Sequence, residues 1–329
     1  MPPDGAVPVI LTKVPKHLVM VHRPGWQAIE DFAEIRQRLM SRAPDITVLI
    51  ATHNRHDPAL EHLAAARPAM VFSPTALNAF LPRRGRVFAG RAIDKPTQLT
   101  RLHAMGLPVP RSVLLTPGLA RLDPAKWGSH VLLKPAGSHS AKGLGLTIVP
   151  AEQVRYMAPG EYPEGHAGRD GPLLAQSFVV TGPVARHYRV NTLFGEPLYC
   201  MLNERTVPLP RLQDITAAHT STAIATNFQH AESRRLSLVD DADVLDLARR
   251  CHDAFPEIPL KGIDIVRDAE TGKLHVLELN CTSNTWHVSS HYFAAYRKGT
   301  VTREKIAAQF GLWDVAAKVL AEKTRLYAA

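Results

Sequence analysis

The sequence has few cysteines and no long apolar segment. Its three cysteines, Cys200, Cys251 and Cys281, are too few and too widely spaced for a disulfide framework or a zinc site. No stretch reaches the about 18 consecutive apolar residues that a transmembrane helix needs. The first residues lack the basic region and the apolar core of a secretory signal. We therefore expect a cytoplasmic protein with reduced thiols and no membrane partner.

Aromatic residues and basic runs are also scarce. Aromatic residues make up 6% of the chain, and basic residues never form a long run although the formal net charge is +9. Proteins that stack nucleic-acid bases combine a basic groove with aromatic side chains. The sequence therefore argues against nucleic acid as a partner, and its positive charge favours a small phosphorylated ligand.

What is present indicates an α/β protein of more than one domain. The 329 residues, 45% of them hydrophobic, suffice for two domains at roughly 150 residues each. After an irregular arm at 1–15, apolar strands alternate with helical spacing over 16–92, which is typical of a parallel sheet with crossover helices. From residue 93 onward short turns join the strands, and this favours antiparallel hairpins.

A glycine-rich turn between two strands is the first candidate for chemistry. Successive N–H groups in such a turn can hold phosphate oxygens. The turn is neither a Walker A motif nor a dinucleotide fingerprint, because a strand rather than a helix follows it. The alternative is a hairpin tip with an exposed lysine and no ligand. The candidate residues are Lys134, Gly137, Ser138, Ser140, Lys142 and Gly143.

A second hairpin, over 261–280, carries two carboxylates and an amide. A turn centred on Thr271 places Asp264 opposite Glu278, and cross-strand partners share one face of a sheet. Asn280 joins that face because side chains alternate along a strand. The other face is expected to hold Ile263, Ile265, Leu277 and Leu279.

Nothing basic in this hairpin lies between the carboxylates, so their repulsion requires a proton or a bound cation. Ligands that are all oxygen suit Mg²⁺, with phosphate oxygens completing the coordination. The alternative is the polar face of a sheet edge with no metal.

The two hairpins, in this order, resemble the ATP-grasp superfamily. Ile93–Lys95 and Met105–Pro110 are similar to the helix and first strand of that fold, and Ala175–Val179 is similar to its adenine hinge. The likeness extends over residues 92–290. It implies two subdomains, at 93–185 and 186–329, preceded by the α/β domain at 16–92.

The resemblance implies ATP and Mg²⁺ as ligands. Lys95 and Lys134 would contact phosphates, the glycine-rich turn would close as a lid, and the backbone near Ser177 would pair with adenine. The implied ATP-binding residues are Lys95, Lys134, Gly137, Ser138, Ser140, Lys142, Gly143, Gln176, Ser177, Phe178, Val179 and Asn227. The implied metal ligands are Asp264, Glu278 and Asn280. Arg189 and Arg205 resemble catalytic positions of the glutathione synthetase and ribosomal-protein glutamate ligase branch.

The activity that the resemblance implies is an ADP-forming carboxylate–amine ligase, acting on small-molecule or peptide substrates. Two alternatives stay open, an ATP-grasp kinase that phosphorylates a hydroxyl and an ATP-binding regulatory protein without turnover. A homodimer is one option for the oligomeric state. The chain departs from the family pattern after Asn280, where Trp286, His287 and His291 are candidate substrate contacts.

Overall fold

The computed structural model describes residues 14–137, 146–220, 222–224, 233–282, 285–286, 288–290 and 301–329. The strands are β1 (Lys16–His22), β2 (Ile46–Thr52), β3 (Ala69–Ser73), β4 (Arg86–Ala89), β5 (Ser112–Leu114), β6 (His130–Pro135), β7 (Thr147–Pro150), β8 (Leu173–Ser177), β9 (Val184–Leu193), β10 (Glu196–Pro208), β11 (His219–Thr220), β12 (Arg234–Leu238), β13 (Leu260–Arg267) and β14 (Leu274–Asn280). The helices are α1 (Ile29–Arg42), α2 (Pro58–Ala65), α3 (Lys95–Ala104), α4 (Pro124–Trp127), α5 (Ala167–Asp170), α6 (Ala242–Arg250), α7 (Arg303–Gln309) and α8 (Leu312–Tyr327). Among these helices none is long and apolar enough to cross a membrane.

The first sheet is parallel, in the order β2-β1-β3-β4. Strand β1 lies in the middle and is buried along nearly its whole length, as its apolar run predicted. Helix α1 covers one side and buries Phe32, Ile35 and Leu39 there. The predicted parallel α/β unit is therefore confirmed.

The last helix of the chain packs onto this first sheet. Leu320 of α8 belongs to the same core as Met20 of β1. The carbonyl of Ala329 also accepts a hydrogen bond from the N–H of Ala69, at 3.2 Å. Packing thus joins the two ends of the described chain across the boundary predicted at residue 92, and the domain boundaries stay a prediction.

The second sheet is antiparallel, in the order β11-β7-β6-β8-β5. Helix α3 precedes it and begins as predicted, because the Asp94 side chain accepts a hydrogen bond from the Thr97 N–H at 2.8 Å. The helix ends before Gly106, whose φ of 69° lies in the left-handed region that favours glycine. This cap fixes the place of Lys95, the first residue of the helix.

The third sheet is antiparallel, in the order β12-β10-β9-β13-β14. One face packs on helix α6 through an apolar core that includes Val190, Ile263 and Val276. The opposite face is apolar toward one end, where Leu193 and Met201 pack. Toward its other end this second face carries charged and amide side chains, and we call that part the polar face. The polar face consists of His187, Arg189, Asn203, Arg205, Asp264, Glu278 and Asn280.

The carboxylate hairpin contains a β-bulge that the sequence analysis did not predict. Asp264 faces Glu278 as expected, but the next residue, Ile265, faces Val276. The prediction placed Leu277 on the apolar face, but Val276 is the fully buried residue in the core on that face, and Leu277 is half-buried. The extra residue in β14 shifts the register from this point toward the turn.

Candidate active site

The polar face brings the two carboxylates and the amide of the second hairpin together. Asp264 and Glu278 are direct cross-strand partners. The Asn280 amide nitrogen donates a hydrogen bond to Asp264 Oδ2 at 3.1 Å. The Asp264 side chain is 10% exposed, whereas the Glu278 side chain is 29% exposed. Glu278 is therefore the carboxylate of the pair that solvent reaches more easily.

The hairpin itself places no basic residue between these carboxylates, but basic side chains from other elements lie against them. Arg189 of β9 donates two hydrogen bonds to Asp264, including Nη2 to Oδ2 at 2.8 Å. Strand β9 is the neighbour of β13, so this arginine reaches across one strand spacing. Gly262 leaves room for it, because a Cβ there would lie 3.3 Å from Arg189 Cδ. The sequence could not show this contact, because it does not give the strand order.

The electrostatics of Asp264 follow from this pairing. Burial alone would raise the pKa of its carboxyl, but the charge and hydrogen bonds of Arg189 outweigh burial and hold the pKa below its ordinary value. His187 Nε2 lies 3.6 Å from Asp264 Oδ1. Burial lowers the pKa of His187 to about 4, so this imidazole is neutral near pH 7. His187 was not among the predicted site residues, and only its position in the strand could have indicated it.

Lys95 connects the carboxylate hairpin to the glycine-rich turn. Its Nζ lies 3.4 Å from Glu278 Oε2 and donates a hydrogen bond to the Gly137 carbonyl at 3.1 Å. The Lys95 N–H also bonds to the carbonyl of Ala136, at 3.0 Å. The start of α3, the end of β6 and strand β14 therefore meet at one point.

Gln98 holds helix α3 against strand β14, and the sequence analysis did not identify it. Its side-chain oxygen accepts from the Leu279 N–H at 2.7 Å, and its nitrogen donates to the Leu279 carbonyl at 2.9 Å. Gln98 is 4% exposed. Because Leu279 lies between Glu278 and Asn280, this amide fixes Lys95 relative to both.

Lys134 of β6 is buried close enough to Lys95 and Glu278 for their charges to act on it. Its Nζ donates a hydrogen bond to Gln176 Oε1 at 2.8 Å, and Gln176 in turn donates to Ser112 Oγ at 3.0 Å. Burial lowers the pKa of Lys134 to about 8, although the charge of Glu278 acts in the opposite direction. The Gln176 side chain thus orients Lys134, which the sequence did not show.

The predicted adenine hinge follows Gln176 at the end of β8. The N–H of Ser177 bonds to the Arg111 carbonyl at 2.8 Å, and the N–H of Phe178 bonds to the His130 carbonyl at 3.1 Å. These two donors are therefore used within the second sheet. Val179 is the next of the predicted hinge residues after these two.

Several predicted residues lie outside the described residues. They are Ser138, Ser140, Lys142, Gly143, Asn227, His287 and His291. Trp286 is described and is 1% exposed, with its Nε1 donating to Asp31 Oδ2 at 2.7 Å. It is a core residue that joins the third sheet to helix α1, which argues against a direct substrate contact.

The carboxylate pair suits a hard cation that takes oxygen ligands. Each carboxylate oxygen has two lone-pair sites, so the hydrogen bonds from Arg189 and Asn280 together do not use all of the acceptor capacity of Asp264. Within the described ranges no cluster of three or more His, Cys, Asp or Glu is found. A cation here would therefore depend on the Asn280 amide oxygen and on oxygens of a ligand. Mg²⁺ fits this set, because it usually keeps positions for water and phosphate.

Comparison with known proteins gives similarity in structure but not in sequence. No protein-family model matches the chain, and no curated protein matches it. The ATP-grasp ligase PsnB complexed with a minimal precursor has 18% identity and a TM-score of 0.52, and the alignment covers 93% of this chain and 99% of PsnB. D-cycloserine synthetase DcsG has 15% identity and a TM-score of 0.50, with coverage of 93% and 99%. The predicted fold is confirmed, and the chain has the fold of the ATP-grasp ligases.

Proposed function

We propose that the protein is an ATP-dependent ligase that joins a carboxylate to an amine and releases ADP and phosphate. The proposal rests on one observation. Lys95 Nζ lies 3.4 Å from Glu278 Oε2, close to Asp264 and the buried Lys134. Opposite charges from four elements, α3, β6, β13 and β14, converge there, which is the arrangement needed to hold a polyphosphate together with its cation. A sheet face without a ligand does not need this convergence.

Roles for the nucleotide-binding residues follow from their positions. Lys95 and Lys134 would neutralise the phosphates of ATP, and Gln176 would keep Lys134 oriented. The adenine would pair with backbone at Val179. Gly137 would begin the lid, with Ser138, Ser140, Lys142, Gly143 and Asn227 as further predicted ATP contacts.

Mg²⁺ would be held by Asp264, Glu278 and Asn280. When bound, Mg²⁺ neutralises phosphate charge and polarises the phosphoryl group that is transferred. Arg189 competes for Asp264 and keeps this buried carboxylate ionised, so it prepares the ligand that the cation needs. Of the two predicted catalytic arginines, Arg189 and Arg205, we assign this supporting role to Arg189.

The reaction would proceed in two steps. The substrate carboxylate attacks the γ-phosphorus of ATP, the bond to the β-phosphate oxygen breaks, and ADP leaves. The amine then attacks the carbonyl carbon of the acyl phosphate, inorganic phosphate leaves, and the amine nitrogen loses a proton. Arg205 would stabilise negative charge on the acyl phosphate, and the lid would exclude water that hydrolyses it.

The substrates are proposed as small molecules or peptides. The PsnB structures contain a precursor or a precursor peptide, and DcsG is a D-cycloserine synthetase. Because the identities are low, these names indicate which compounds to test first. A homodimer and a cytoplasmic location are further parts of the proposal.

Product analysis tests the proposal. The chain is incubated with ATP, Mg²⁺ and pooled amino acids and dipeptides, and nucleotides and phosphate are separated by chromatography. We expect ADP and free phosphate that appear only when both a carboxylate and an amine are supplied. AMP with pyrophosphate would contradict the mechanism, and phosphate retained on a hydroxyl product would identify a kinase.

A further inference from the structure

The predicted metal ligand Asn280 is held by a residue that follows it in the chain. Thr285 is fully buried, and its Oγ1 donates a hydrogen bond to the Asn280 carbonyl at 2.9 Å. The side chain of Asn280 is directed at Asp264, where its amide nitrogen lies 3.1 Å from Oδ2. The Thr285 hydroxyl therefore fixes the backbone of the residue whose amide oxygen we assign to the cation.

Thr285 lies over a row of three residues that crosses the third sheet. The register pairs Asn191 with Gly262, and Gly262 with Asn280. The Asn191 amide nitrogen donates a hydrogen bond to the Thr285 carbonyl. A Cβ at Gly262 would lie 3.3 Å from Thr285 Cγ2, so the glycine leaves the room that this side chain occupies. Thr285 thus has neighbours on β9, β13 and β14.

Helix α1 of the first sheet holds the next residue, Trp286. Asp31 is fully buried, and its Oδ2 accepts a hydrogen bond from Trp286 Nε1 at 2.7 Å. Its Oδ1 accepts two hydrogen bonds from Arg303, at 2.7 and 3.1 Å. The Phe32 ring lies 5.8 Å from the indole between centroids. A buried carboxylate with such charge-assisted bonds is costly to displace, so Asp31 fixes the indole in one place.

We propose that helix α1 positions Asn280 for the cation through Trp286 and Thr285. The inference rests on the proposed function, and it gives a role in the metal site to a helix that supplies none of the predicted ligands. Asp31 holds the indole, the indole holds the backbone beside it, and the Thr285 hydroxyl holds the Asn280 carbonyl. Mg²⁺ requires near-ideal octahedral geometry, so a shift of this backbone should weaken its binding. Asp31, Trp286 and Thr285 are therefore positioning residues.

Cation binding to the full chain tests the inference, with Mn²⁺ as the probe because it takes the same oxygen ligands as Mg²⁺. Electron paramagnetic resonance measures free Mn²⁺ in a titration with ADP present. The same titration without protein corrects for Mn²⁺ bound to ADP in solution. Thr285→Val removes the hydroxyl and keeps the shape of the side chain. We expect its dissociation constant for Mn²⁺ to rise about fivefold or more, while the affinity for ADP without metal stays within about twofold.

Two further variants test the connection at both of its ends. Thr285→Ser keeps the hydroxyl and should bind Mn²⁺ within about twofold of the parent protein. Trp286→Phe removes the N–H that Asp31 accepts and keeps an aromatic ring in the core. We expect it to weaken Mn²⁺ binding about threefold.

Each weakened variant has a matched control. Thr192→Val removes an equally buried hydroxyl, one without a hydrogen-bond partner in the described part of the chain. Phe80→Leu reduces a buried aromatic side chain in the core on the other side of the first sheet. Both controls should bind Mn²⁺ like the parent protein, because neither residue contacts the segment after Asn280.

The inference is overturned if Thr285→Val binds Mn²⁺ as tightly as the parent protein, or if the controls weaken binding as much as the variants they match. Full affinity in Trp286→Phe overturns the part assigned to helix α1. Circular dichroism checks folding first, and Trp286→Phe decides the matter if Thr285→Val does not fold. A parent protein that binds no Mn²⁺ with ADP contradicts the proposed function instead.

Discussion

The two faces of the third sheet differ sharply although their residues alternate along the same strands. On the face toward α6, Ile263, Ile265 and Val276 form a closed apolar core. On the polar face, Asp264 and Glu278 meet basic groups from β9 and α3. The alternation of period two lets one sheet supply stability from one face and candidate chemistry from the other.

Each face of the third sheet also has a buried lysine near it, Lys134 near the polar face and Lys261 near the face toward α6. Burial lowers the pKa of both Lys134 and Lys261 to about 8. Lys261 Nζ donates to the carbonyl of Ile258 at 2.6 Å and lies 2.8 Å from His252 Nδ1. Lys134 is instead in the field of Glu278. A lowered pKa therefore does not by itself mark a site, and the neighbouring groups decide whether a buried cation serves packing or binding.

The largest expected effect is the loss of catalysis in Glu278→Gln. The change removes one negative charge from the polar face with little change of shape. We expect kcat to fall by about 10²-fold or more, because preorganised charge at a phosphoryl transfer site contributes several kcal/mol. Steady-state kinetics measure the effect once circular dichroism shows an intact fold. Glu270→Gln in the exposed turn of the same hairpin is the control, and full activity in Glu278→Gln would mean that the polar face binds no metal.

Replacing Lys134 should mainly affect ATP binding, whereas replacing Lys261 should mainly affect stability. Lys134→Ala should weaken ATP binding about tenfold or more, because a charge-assisted contact to phosphate is lost. Lys261→Ala should leave ATP affinity within about twofold but reduce the free energy of unfolding by about 3 kcal/mol, since it opens a cavity and leaves the Ile258 carbonyl without its partner. For both variants, calorimetry with ATP measures the ATP affinity, and denaturant unfolding measures the free energy of unfolding. Equal loss of affinity in both would contradict the division between the faces.

The pH dependence of ATP binding should follow Lys134. With a pKa of about 8 in the free protein, its charged fraction decreases as the pH rises through that value. The affinity for ATP should therefore decrease about fivefold to tenfold between about pH 7 and about pH 9, because only the charged lysine attracts phosphate. Lys134→Ala should flatten this profile, and Lys261→Ala should keep it. A flat profile in the parent protein would show that Lys134 does not contact the nucleotide.

The sequence predicted features that depend on local periodicity, and it missed those that depend on strand order. The sequence predicted correctly that Asp264 lies opposite Glu278, but the register nearer the turn differs by one residue from the predicted one, and the bulge restores the predicted pairing at Asp264. The contacts of Arg189 with Asp264 and of Gln98 with Leu279 join residues 75 and 181 positions apart. Such contacts require the order β9-β13-β14 and the docking of α3, which no periodicity reveals.

The smallest expected effect concerns the bulge, where prediction and structure disagree about one side chain. Val276 is fully buried in the core under α6, whereas Leu277 is half-buried. Val276→Ala should therefore lower the free energy of unfolding by about 2 kcal/mol, and Leu277→Ala should lower it by less than about 1 kcal/mol, although leucine is the larger residue. Denaturant unfolding of the pair decides between the two registers. If Leu277→Ala lowers the free energy of unfolding by more than Val276→Ala does, β14 pairs without the bulge. Leu277 then lies in the apolar core, as the symmetric hairpin predicts. Because the bulge lies next to Glu278, the same measurement tests the geometry of the polar face from the opposite side of the sheet.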